Sequence, residues 1–266
     1  MLKGLRQRLG GRRAPARVPV NAPVCHVEVS QWYGPALAGP RTFEHAVAGA
    51  APVRAALAIL ERLEPDDYAG FVARFYRAGL ERFGDHWHYA DINTVLLGLG
   101  AALKPETYLE IGVRRGRSLA MLSSVAPDCR FLGFDLWIAD YAGMPNPGPG
   151  FVEQEVRRLG HRGPIEFVTG PSAETVPAYF EAHPDCFPDI VTVDGDHTAE
   201  GARLDLLSVM PRVRVGGALV FDDISNVSHP ELRRVWNETV GADPRWAAWS
   251  FDEVGFGVAF AIRKHA

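Results

Sequence analysis

Cysteine is scarce in this chain: three residues in 266, Cys25, Cys129 and Cys186, an odd number with no C-x-x-C pair. That excludes a disulfide framework and a zinc site built on cysteine spacing, and a reducing cytoplasm is the compartment it suggests. No apolar run approaches the roughly 20 residues of a membrane span, and the amino terminus lacks the apolar stretch of a secretory leader. Positive charge is not in excess either. The formal charge is −4 and no basic-aromatic stripe runs through the body, so nucleic acid is not an expected partner. The one basic concentration is Lys3, Arg6, Arg8, Arg12, Arg13 and Arg17, with no acid among the first 20 residues. Leu2, Leu5 and Leu9 recur there at helical spacing, but Gly10-Gly11 ends the pattern after about two turns, too short to hold alone. A solvated tail is expected, in preference to a membrane-surface helix or an organellar transit segment.

What is present is a hydrophobic content of 47%, enough for one large α/β domain or a core with an extension. Residues 1–42 read as a basic tail and a Pro/Gly-punctuated arm carrying Trp32 and Tyr33. Residues 43–104 read as a helical layer serving as a lid or dimer surface. One stripe there is Val53, Leu57 and Leu60; another is Tyr68, Phe71, Val72, Phe75 and Leu80, starting at Pro65-Asp66. A third helix is expected from Asp91, as cap, to Leu103.

From residue 105 to the end, short apolar strands alternate with helices. Strands are expected at 107–112, 130–135, 165–169, 189–194, 216–222, 246–251 and 255–262. Helices are expected near 117–126, 151–160, 173–182, 198–210 and 229–240. Alternation means a parallel sheet covered on both faces. The last two strands are joined by only Asp252-Glu253-Val254, so they form an antiparallel hairpin. The fold class is therefore α/β, a seven-stranded, mostly parallel, Rossmann-like sheet with a terminal antiparallel hairpin strand and an N-terminal helical extension. Ligands in such sheets sit beyond the carboxyl ends of the strands.

Three sets of residues fall at those ends. Glu110-Ile-Gly112-Val-Arg-Arg-Gly116-Arg-Ser118 runs from the first strand through a tight turn into a helix. Its glycines are four apart, so it is not the G-x-G-x-x-G dinucleotide fingerprint. Glu110 beside the turn disfavours a pyrophosphate and suits a ligand with an ammonium group. Asp135 ends the second strand, 23 residues beyond Gly112 (135 − 112), where nucleoside-binding folds place the acid that accepts from ribose hydroxyls. Asp194-Gly-Asp196-His197 and Asp222-Asp223 end two further strands. Carboxylates stacked there repel unless something positive lies between them, and a hard divalent cation is the economical answer. His197 then stands beside the metal as a base. Asp196 reads as the cap of the following helix. The His86-Trp-His88 segment lacks a third soft ligand and reads as a lid or cofactor-edge loop. The Pro-rich stretch from Gly143 to Gly150 reads as an acceptor-side loop. Arg114 and Arg115 read as solvated, with contact to a cofactor carboxylate as the alternative.

Together these motifs resemble class I S-adenosylmethionine-dependent methyltransferases, and more narrowly the metal-dependent, macrocin O-methyltransferase-like enzymes that modify sugars; catechol O-methyltransferase is a more distant likeness. The resemblance covers roughly residues 105–262. It implies S-adenosyl-L-methionine and Mg²⁺ as cofactors, with Glu110, Gly112, Gly116 and Ser118 at the methionine part, Asp135 at the ribose and Ser172 near adenine. It implies Asp194, Asp222 and Asp223 as metal ligands and His197 as general base. Some relatives carry Glu-Asp where this chain has Asp222-Asp223. Tyr89 is a further contact proposed for cofactor or acceptor; for Trp137, packing on adenine or the acceptor and packing in the core are equal alternatives. The implied reaction is O-methylation of a sugar or glycoside hydroxyl by a homo-oligomeric enzyme. A catechol-like acceptor is the alternative, although the sequence does not place the apolar gating residues it would want. A non-catalytic cofactor-binding assembly partner is the alternative from another class. No Asn-Pro-Pro-Tyr-like motif points to N-methylation, and no 2-His-1-carboxylate triad to oxygenase chemistry.

Overall fold

A computed structural model describes residues 36–141 and 143–266. The basic tail, the Trp32-Tyr33 portion of the arm and Cys25 lie outside the described residues. The elements follow the expected alternation: α1 (Pro40–Val47), α2 (Ala50–Leu60), α3 (Asp67–Phe83), α4 (Ile92–Leu103), β1 (Thr107–Ile111), α5 (Arg117–Val125), β2 (Arg130–Asp135), β3 (Asp140–Tyr141), β4 (Met144–Pro145), α6 (Pro149–Arg158), β5 (Ile165–Thr169), α7 (Ser172–Ala182), β6 (Ile190–Val193), α8 (Ala199–Val209), β7 (Ala218–Asp222), α9 (Leu232–Trp236), β8 (Trp246–Phe251) and β9 (Val258–Arg263). Helix starts obey local chemistry. Pro40 opens α1, and Asp66 caps α3 by accepting from the Ala69 amide at 2.9 Å. Asp91 caps α4 in a reciprocal box with Thr94. The helix expected at 229–240 is α9 followed by a π-helical turn, Asn237–Gly241.

The seven-stranded sheet runs β5-β2-β1-β6-β7-β9-β8. Five strands are parallel, and β9 pairs antiparallel with both β7 and β8. The chain works outward from β1 to β5, then returns to β6 on the other side of β1. That reversal opens a crevice between β1 and β6 at their carboxyl ends.

Alternation along the strands sorts the core into two layers. Tyr108, Phe131, Ile190, Val220 and Phe260 face α1–α6; Leu109, Ile111, Leu132, Val191, Leu219 and Phe221 face α7–α9. The helical layer of 43–104 belongs to the first of these cores, since Val47, Val53, Leu96 and Leu99 are buried in the same cluster as Tyr108 and Phe131. It covers one face of the sheet, and α3 reaches past the strand ends to form one wall of the crevice.

Candidate active site

A cavity of about 850 Å³ fills the crevice, bounded by the ends of β1, β2, β5, β6 and β7, by α3 and by the β8–β9 turn. The turn after β1 is shaped by glycine for packing. Gly112 has φ +91°, and a Cβ there would stand 2.0 Å from the Asp194 carbonyl oxygen. Gly116 has φ +71°, and its Cβ would meet Val152 of α6 at 2.5 Å. Gly112 borders the cavity, whereas Gly116 is set back from it against α6.

Glu110 is 1% exposed. The Ser118 hydroxyl donates to its Oε1, while its Oε2 has no partner among the described residues. Burial pushes this carboxyl well above the usual range, and the Ser118 bond only partly offsets it. Asp135 accepts from the Arg114 amide at 2.7 Å and the Trp137 amide at 2.5 Å; Arg114 and Trp137 adopt left-handed backbone (φ 52° each) to make those bonds. Ser172, first residue of α7, borders the same end of the cavity.

Arg114 and Arg115, read from the sequence as solvated, are instead held. Asp66 binds Arg115 Nε at 3.2 Å and Arg117 Nη1 at 3.3 Å. Arg117 lies 4.6 Å over the Tyr68 ring, Arg115 lies 4.7 Å over Phe151, and Arg114 lies between Tyr68 and Tyr141. The amino end of α3 is thereby tied to the glycine turn.

At the opposite end, Asp194 follows β6, Asp222 ends β7, and Asp223 takes a left-handed conformation (φ 63°). His197 Nε2 lies 3.3 Å from Asp194 Oδ1, and Nδ1 lies 3.8 Å from Asp223 Oδ2. One ligand atom from each of Asp194, His197 and Asp223 falls within 4.8 Å of the other two. Asp222 is not in that trio, although its carboxyl is pushed well above the usual range by burial and then by Asp194, Asp223 and Asp91. Asp223 is raised by burial and Asp194, against a 3.0 Å bond from Asn226 Nδ2. The Asp194 hydrogen bond raises the His197 imidazole above its ordinary value. His229 sits edge-on to His197 at 4.7 Å.

Two local expectations need correction. Thr198, not Asp196, caps α8, accepting from the Gly201 amide at 3.0 Å; Asp196 closes the preceding turn through the Thr198 amide at 2.8 Å. Trp137 does not border the cavity: its ring packs edge-on to Phe167 at 5.5 Å. Tyr89 does border it, and its hydroxyl donates to Asp91 Oδ2 at 3.4 Å. Neither His86 nor His88 borders it, while Asn146 from the Pro-rich stretch does, as does Tyr141 just before that stretch. Sequence reading missed Tyr68, Phe71 and Phe75 as wall residues, having assigned them to a helix stripe. It also missed Asp205, Asn226 and His229, which no motif marks.

No curated protein matches the chain. Residues 109–224 match the family described as a methyltransferase domain. Among solved structures, the chain is similar to CalS11, a TDP-rhamnose 3'-O-methyltransferase of calicheamicin biosynthesis, at 20% identity over 80% of this chain and 92% of that one, TM-score 0.51. It is similar to the O-methyltransferase TomG from Streptomyces achromogenes in complex with S-adenosylmethionine, at 19% identity over 76% and 92%, TM-score 0.53. An O-methyltransferase from Bacillus cereus matches at 16% identity over 80% and 91%, TM-score 0.50. At these identities the likeness is one of fold. Residues 109–224 therefore match a methyltransferase domain, and the chain has the class I methyltransferase fold.

Proposed function

We propose that the chain transfers a methyl group from S-adenosylmethionine to a hydroxyl of a small sugar or glycoside, with Mg²⁺ held by the strand-end aspartates and His197 as base. The carrying observation is that His197, Asp194 and Asp223 open onto the same cavity as the glycine turn. The residues suit the cofactor. The unpartnered Glu110 Oε2 is a buried acceptor beside the turn, where the ammonium of the methionine part would satisfy it. Asp135 retains lone pairs for ribose hydroxyls. The carboxylates suit a hard cation: Asp194 and Asp223 would hold it, with Asp222 adding charge from behind. The sulfonium supplies an activated methyl, and the cation acidifies a coordinated hydroxyl.

The chain's own groups then do the rest. Glu110 and Asp135 would hold the cofactor at the β1–β2 end of the cavity. His197 takes the acceptor proton as the oxygen–carbon bond forms and the carbon–sulfur bond breaks. Asp194 orients the imidazole and stabilises it once protonated.

A second reading has a specific observation behind it. The mouth carries Phe71 (51% exposed), Leu136 (53%), Ile138 (49%) and Phe256 (44%), with Phe75 beside them. These are the apolar gating residues that the sequence did not show, and they favour an acceptor with a flat apolar body such as a catechol-like diol. Methyl transfer assayed on a panel of glycosides and aromatic diols, with and without excess chelator, separates the two. Activity undiminished by chelator on every acceptor would overturn the metal role in both.

A further inference from the structure

Asp205 lies in the middle of α8, beside the Gly195-Asp196 turn that follows β6. It is 1% exposed yet borders the cavity. Its carboxyl faces the Ser172 hydroxyl at the start of α7 and the Asp196 backbone amide. Its Oδ2 has no hydrogen-bond partner among the described residues. A Cβ at position 195 would stand 3.3 Å from that oxygen and 2.8 Å from Ile111 Cγ2, so only glycine packs against it there.

A buried acceptor left without a hydrogen bond is costly, so a donor arriving in the cavity would relieve it. Burial pushes the Asp205 carboxyl up to about 6, against the lowering effect of hydrogen bonds from Ser172 and the Asp196 amide. Two kinds of donor in the proposed cofactor are already matched. The ammonium falls to Glu110 and the ribose hydroxyls to Asp135. What remains is the amino group on the purine. The cavity beside Asp205 is bounded by Gly170, Pro171, Ser172 and Gly195, backbone and small side chains that leave room for a flat ring.

We infer that Asp205 is a specificity residue that accepts a hydrogen bond from the 6-amino group of the cofactor's adenine. This rests on the cofactor reading above. Burial suits the role, because a site built to receive an N–H rejects an analogue that presents an acceptor instead.

The test is calorimetric binding of S-adenosylhomocysteine and S-inosylhomocysteine, whose 6-oxo group replaces the donor by an acceptor. The wild-type protein should favour the adenosyl compound at least about tenfold. D205A should weaken adenosyl binding about tenfold and bring the two compounds to within about twofold. D205N, nearly isosteric, carries the test should D205A not fold; its amide can turn to donate to the 6-oxo group, so it should also narrow the preference. Equal wild-type affinity for the two compounds overturns the proposal, whatever the variants do. So does an unchanged preference in folded D205A or D205N. A wild-type protein that binds neither compound overturns the cofactor reading itself and this inference with it.

Discussion

Asp222 is set among three other acids, Asp91, Asp194 and Asp223, and burial adds to their repulsion. Replacing it by asparagine should therefore raise the melting temperature of the metal-free protein, by roughly 1 kcal/mol of stability. The same change should lower chelator-sensitive methyl transfer; stabilisation without loss of activity would make Asp222 a bystander. His197→Ala should reduce turnover by about 10²-fold or more while leaving cofactor affinity nearly intact, and calorimetry showing that both fall would point to a structural role. His161 offers a test elsewhere. Its ring stacks on Phe131 at 4.0 Å, 14° from parallel, and burial followed by the nearby Arg157 depresses it to about 4. The native imidazole stays neutral as pH falls from 6.5 to 4 while the unfolded one charges, so stability declines through that window. His161→Phe should remove at most ~3 kcal/mol of that decline, seen as a wild-type-minus-variant difference in urea unfolding that grows toward pH 4.

Among the elements, the main strands were legible because each but the last is a short apolar run ending in or followed by glycine or aspartate, and the brevity of 252–254 dictated the final antiparallel pairing. The β3–β4 hairpin was not, since its four exposed or half-buried residues bury too little to leave a pattern. Nor was the cap of α8, because Asp196 and Thr198 both suit a helix start and only the turn geometry decides. The site divides the same way. Acids at strand ends could be read from pattern, whereas the wall residues of α3 follow from how that helix leans over the sheet, which spacing does not encode. Gly112→Ala tests the strand-end geometry. Its Cβ would drive into the Asp194 carbonyl, so it should both destabilise the protein, by about 3 kcal/mol from overpacking and backbone strain, and displace the acidic end of the site. Retained activity at wild-type stability would show that the turn can open.

At the scale of the molecule, no boundary in the core separates 36–104 from the sheet. The α4 helix contributes Val95, Leu96 and Leu99 to the layer that holds Tyr108, Leu119 and Phe131. Residues 105–266 produced alone should therefore aggregate or bind apolar dyes rather than give a cooperative transition. Among the described residues, no single helix is long and apolar enough to cross a membrane. The grip of Asp66 on Arg115 and Arg117 carries a last consequence. An acceptor lodged against Phe71 and Phe75 leans on the same helix whose first turn clasps the guanidiniums of the glycine loop. Occupancy of either half thus stiffens the other, and thermodynamic reciprocity requires the help to be mutual. The two ligands should arrive synergistically, and cutting the clasp with Asp66→Ala should leave each binding as though the other were not there.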